Sequence, residues 1–171
     1  MSVGYNLRMR QTVQNTGDQL VNALHGLGVN FIMGGREGGI SPFLQPGLLI
    51  AALARSEEAR LRLSLIPLFL EHPEFAGRVR AVAKKLEPPA RLTLQCYYSA
   101  AVWLAGKYGV RAALPDLFSR DLNLTLVDDP EENLRALAKR QKELSGSRVN
   151  WLATYQHAWQ VWRKGLEARG G

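Results

Sequence analysis

Cysteine is nearly missing from this chain: Cys96 is the only one in 171 residues, which excludes an internal disulfide. It sits in an apolar run, where a lone thiol behaves as a small buried hydrophobe. Histidine is almost as scarce. His25, His72 and His157 stand far apart, so the short ligand spacing of a zinc site does not occur. His72-Pro73-Glu74 matches the His-x-Glu of zinc deaminases only superficially, because no downstream cysteine pair follows.

Nucleophile and nucleotide signatures are missing too. There is no Gly-x-Ser-x-Gly elbow, and no glycine-rich loop ends in Gly-Lys-Ser/Thr. No Asp-x-Asp pair exists to hold magnesium. The acids Asp116, Asp121, Asp128 and Asp129 lack the spacing of a calcium loop. No catalytic, cofactor-binding or metal-ligating residue is therefore assigned, and no cofactor is expected.

Long hydrophobic runs are equally absent. The longest, Leu92 to Gly106, is fenced by Arg91 and Lys107 and falls short of a bilayer-spanning length. Arg8 and Arg10 are not followed by an apolar stretch, so a signal peptide is not expected. With 46% apolar and 22% charged residues, the composition is that of an ordinary globular protein, expected in the cytoplasm and not in a membrane. The net charge of +7 favours acidic partners, nucleic acid among them. That excess is spread along the chain without a dense basic block.

What is present is helical signal. Residues 1–45 read as a glycine-rich arm with one short helix over Gln19–Leu27 and a loop at Gly34 to Gly39, expected to be the most mobile part. Residues 46–171 read as a helical domain. Gly47–Arg55 forms a short apolar helix, and Ser56 is expected to cap the next, with Glu57 and Glu58 in its first turn. Pro67 should kink or end that helix. His72-Pro73-Glu74 starts another, with Phe75, Val79, Val82 and Leu86 inward, and Pro88-Pro89 closing it.

Ala90–Tyr108, apolar around most of its circumference, is predicted as the central helix, stopped by Gly109. Leu114 to Leu126 reads as a loop. Asp129-Pro130-Glu131-Glu132 is a strong helix start, with Leu134, Leu137, Ala138 and Leu144 inward and Gly146 as its stop. Asn150 opens the last helix. The expected fold is all-α: a single irregular bundle of five to seven helices behind a glycine-rich, partly irregular arm.

Two surfaces stand out. Three of the four tryptophans fall within twelve residues of the last helix, where Trp151, Tyr155, Trp159, Trp162 and Leu166 share one stripe. Such a stripe is either the lid of a core or an interface for a partner, with Arg36 in the glycine loop as a further contact. The second is basic. Arg80 and Lys84 stack at i,i+4, while Arg78 and Lys85 share another line. With Arg135, Lys139, Arg140 and Lys142 on a second helix they would form a groove for a phosphate backbone, or else two solvated faces. Arg163 and Lys164 beside the aromatic stripe would suit stacked single-stranded bases.

The function expected on these grounds is non-enzymatic: a small helical subunit or adaptor that binds a protein partner, within a nucleic-acid-associated complex. Two other readings remain open. One is direct nucleic-acid binding through the basic helix faces and the aromatic helix. The other is an antitoxin-like neutralising role toward a neighbouring gene product.

Overall fold

The apolar run between Arg91 and Lys107 becomes the axle of the molecule. The computed structural model describes residues 16–29, 45–110 and 114–170, and every regular element among them is helical. In chain order these are α1 (16–26), α2 (Pro46–Arg55), α3 (Ala59–Leu63), α4 (Leu65–Glu71), a 3₁₀ turn (Pro73–Phe75), α5 (Ala76–Lys85), α6 (Pro88–Tyr108), α7 (Pro130–Ser145) and α8 (Trp151–Gly170). The protein is an all-α helical bundle, as its periodicity predicts. Helices α2, α4, α5, α7 and α8 all pack on α6. That surround explains why α6 is apolar around most of its circumference: Leu94, Cys96 and Ser99, on different sides of it, are each buried.

The ends of the helices follow local chemistry. Asp129 caps α7, its Oδ1 accepting from Glu131 N at 3.0 Å, and Pro130 takes the first position, where its missing N–H is not needed. Asn150 does the same for α8, accepting from Ala153 N at 3.1 Å. Gly109 and Gly146 end α6 and α7 with φ of +64° and +67°, a conformation that costs glycine nothing.

Four local expectations need correction. Ser56 terminates α2 instead of capping α3, which begins only at Ala59. Its hydroxyl accepts from Glu58 N within the turn between them, so Glu57 and Glu58 precede the helix. The break expected at Pro67 falls earlier, at Ser64. Pro67 is then the third residue of α4, inside the first turn, where no intrahelical N–H is called for. Pro88 and Pro89 open α6 and do not close α5, for the same reason. Leu144, expected inward, is 46% exposed, because α7 outruns the surface that covers Leu134 and Leu137.

Of the amino-terminal arm, residues 16–29 are described, and they belong to the common core. Leu20, Val21, Ala23, Leu24 and Val29 are buried in one cluster with α2, α4 and α6. The glycine loop Gly34 to Gly39 and the candidate contact Arg36 lie outside the described residues.

The segment 114–128 carries no regular structure, yet it is firmly attached. Phe118 packs edge-on against Tyr98 of α6, and the Tyr98 hydroxyl donates to Pro115 O at 2.6 Å. Arg80 of α5 donates to Leu117 O at 3.1 Å, and Arg140 of α7 to Leu122 O at 2.9 Å. Asn133, buried in α7, pairs with both backbone groups of Val127 at 3.0 and 2.8 Å. The segment thus lies over α6 and is held from α5 on one side and from α7 on the other.

Candidate binding surface

Helix α5 buries Val79 and Ala83 and leaves four cations outside: Arg78, Arg80, Lys84 and Lys85. Their two lines diverge in space. Arg80 and Lys84 face a polar cleft of about 620 Å³ whose other walls are Arg91 and Gln95 of α6 and residues 116–121. Arg78 and Lys85 face a second groove, of about 690 Å³, between α2 and α5, whose lining includes Leu48, Ala51, Val82 and Leu86. Arg78, Lys84 and Lys85 form no ion pair among the described residues.

The cleft is built from restrained groups. Arg91 donates through Nε to Ala83 O at 3.0 Å and through Nη2 to Leu86 O at 2.9 Å. Those carbonyls close the carboxyl end of α5, where a cation also complements the helix dipole. Arg80 is held by Leu117 O, as described above. Arg120 points its charge into the same lining and has no ion-pair partner among the described residues. Two acids share the walls. Asp116 Oδ1 accepts from Ser119 N at 3.2 Å and from Ser119 Oγ at 2.8 Å, a local turn that fixes it.

At the groove's edge Arg55 pairs with Glu87 at 3.0 Å, tying the end of α2 to the start of α6. This hydrogen-bonded guanidinium holds the Glu87 carboxyl below its ordinary range. Leu48, on the outer side of α2, is 53% exposed.

Of the two alternatives for the basic helix faces, a shared groove between α5 and α7 does not form. Segment 114–128 fills the space between them, and the wall facing α5 is residues 116–121. Arg135 pairs instead with Glu131 at 3.1 Å, one turn away, and Lys139 lies exposed on α7. On α8, Arg163 pairs with Glu167 at 3.3 Å and Lys164 is solvated.

The aromatic stripe is part of the core. Tyr155 is fully buried, Trp159 is 5% exposed and Trp162 8%, while Trp151 is half-buried against Tyr97. Trp159 lies parallel on Tyr108 with ring centroids 4.2 Å apart, and Trp162 Nε1 donates to Glu71 Oε2 at 3.1 Å. The Tyr155 hydroxyl donates to buried Gln141 Oε1. Trp159 and Trp162 therefore leave no open ring face beside Arg163 and Lys164 on which a base could stack.

No local sequence pattern marks Arg91, Arg120, Gln95 and Leu48 as lining residues. Arg91 carries the clearest signal: only two residues join α5 to α6, so the first turn of α6 must return alongside the last turns of α5. Arg120 is brought in by a loop whose course no local pattern announces.

Among the described residues no group of three or more His, Cys, Asp or Glu side chains converges to hold a metal, and no helix is long and apolar enough to cross a membrane. No protein-family model matches the chain, and neither curated proteins nor solved structures give a match.

Proposed function

We propose that this chain is a non-enzymatic binding subunit that docks an acidic, amphipathic helix of a protein partner in the groove between α2 and α5. The observation that carries this reading is Leu48, an exposed leucine beside Ala51, Val82 and Leu86 in a groove rimmed by the unpaired cations Arg78 and Lys85. Apolar side chains within a rim of one sign suit a helix whose one face is apolar and whose flanks are acidic. Helix α2 has ten residues, so the groove accommodates about 15 Å of partner helix, roughly three turns.

The condition of the reactive side chains is consistent with a binding role. Cys96 is buried and its thiol is pushed up to about 12 by that burial, far from a nucleophile's range. Both ring nitrogens of His72 are taken up by structural hydrogen bonds. The basic α5 face also fits a place in a nucleic-acid-associated complex in the cytoplasm.

The test is a titration of the full chain into a fluorescein-labelled peptide with Leu at i, i+4 and i+7 and Glu on its flanks. A counterpart carries Lys for every Glu. The acidic peptide should bind with a Kd of order micromolar and lose at least about tenfold with Leu48→Asp or Arg78→Glu/Lys85→Glu. Equal binding of the two peptides, or an unchanged Kd in the Leu48→Asp variant, would overturn the reading. So would a concentration-dependent dimer abolished by Leu48→Asp, which would give the groove to a second copy of the chain.

A further inference from the structure

We infer that the polar cleft between α5, the start of α6 and residues 116–121 is a binding site for a nucleoside di- or triphosphate, separate from the α2–α5 groove. Four cations, Arg80, Lys84, Arg91 and Arg120, line it against two acids, Asp116 and Asp121. Its volume of about 620 Å³ lies in the range of small-molecule and cofactor sites.

The cations are of two kinds. Arg80 and Arg91 are tethered by backbone carbonyls of Leu117, Ala83 and Leu86, so their planar guanidinium groups are held in place before any ligand arrives. A guanidinium has five N–H donors, and these tethers use one on Arg80 and two on Arg91, leaving the others for phosphate oxygens. Lys84 and Arg120 are exposed and unpaired, able to close on the terminal phosphates. Two tethered arginines beside two unpaired cations give both geometry and charge for a polyphosphate.

The remaining walls suit the rest of a nucleotide. Ala83 and Leu117 supply an apolar surface next to the cations, and Gln95 offers an amide with both donor and acceptor character. Asp116 is held on Ser119, so its Oδ1 charge is already answered by two hydrogen bonds. Asp121 is exposed and open to a ribose hydroxyl. A mixed lining of this sort fits a nucleotide better than a bare phosphate.

Isothermal titration of the full chain with ATP, GTP and inorganic pyrophosphate tests the assignment, with a 5′-phosphorylated oligonucleotide as a further arm. A nucleoside triphosphate should bind more tightly than pyrophosphate. Lys84→Gln and Arg120→Gln, both at exposed positions, should each weaken it about tenfold. Arg135→Gln/Lys139→Gln on α7 should leave it unchanged, and circular dichroism should show all variants folded. No heat with either triphosphate would overturn the inference, as would equal loss in the α7 control. Binding of the oligonucleotide alone would overturn it in favour of a nucleic-acid backbone. The Leu48→Asp variant should bind nucleotide normally, so failure of the docking groove and failure of this cleft are separable.

Discussion

His72 Nε2 lies 2.6 Å from the carbonyl oxygen of Leu27, forty-five residues earlier in the chain. Its Nδ1 lies 2.8 Å from Glu74 Oε1. One residue on, Gly28 O accepts from Arg169 Nη1 at 2.9 Å, and the same Nη1 pairs with Glu71 Oε1 at 2.8 Å. The turn that follows α1 is thus pinned from the end of α4 and from the end of α8.

His72→Ala should therefore lower stability by about 1–2 kcal/mol, through loss of the Leu27 bond and of the Phe75 stacking contact. Amide exchange over residues 16–29 should accelerate more than exchange in α6. Uniform acceleration across the chain would show that the contact holds nothing local. Glu74 is held below its ordinary value of 4.5 chiefly by the His72 hydrogen bond. Its contribution is present above pH 4.5 and fades as pH falls through the lowered folded value, so the wild type should lose part of its advantage over Glu74→Gln in acid.

Lys107 Nζ lies 2.6 Å from Glu131 Oε2, joining the last turn of α6 to the first turn of α7. The Lys107 hydrogen bond is the largest influence lowering Glu131, and Glu131 in turn raises Lys107. The glutamate's share of stability exists above pH 4.5 and vanishes as pH falls through its depressed folded value. The lysine's share exists below pH 10.5 and vanishes as pH rises through its elevated one. Denaturant titrations of Glu131→Gln should show a loss of about 1 kcal/mol or less near neutrality. The two proteins should converge at both extremes. A constant difference at all pH values would assign the effect to packing.

How much of this was legible beforehand differs from element to element. Asp129-Pro130 and the stops Gly109 and Gly146 were readable because each acts through its own backbone within one turn. Proline is ambiguous at Pro67 and Pro88-Pro89, since the same residue opens a helix or breaks one depending on where the preceding turn ends. That boundary is set at Ser64 by burial of Leu65 and Leu68, not by the proline. The pairing of Arg80 with Lys84 and of Arg78 with Lys85 was visible as helical spacing. That the pairs face different cavities was not, because Arg91, Arg120 and Leu48 reach those cavities only through tertiary packing.

Cys96 is fully buried on α6. Burial raises its thiol to about 12, so almost no thiolate exists at pH 8. A disulfide reagent such as dithionitrobenzoate should find no reactive thiol in the native chain and one in denaturant. Rapid native reaction would mean that α6 separates from its neighbours on that timescale.

Trp162 carries the most severe of the expected losses. Its ring closes the core between α8 and α4, and its Nε1 gives Glu71 one of that carboxylate's two partners, Arg169 being the other. Trp162→Ala removes the buried ring and leaves Glu71 half-answered, so the expected cost is about 3–5 kcal/mol. Leu166, one turn further on, is 36% exposed, and Leu166→Ala should cost about 0.5 kcal/mol or less. Just before Trp162 on α8, Trp159 keeps its parallel stack on Tyr108 and reports on the face by fluorescence. Native emission should be blue-shifted and should move red in a single step with unfolding. If Trp162→Ala proved as mild as Leu166→Ala, the stripe would not be core in solution, and the aromatic face of α8 would return as a surface for a partner.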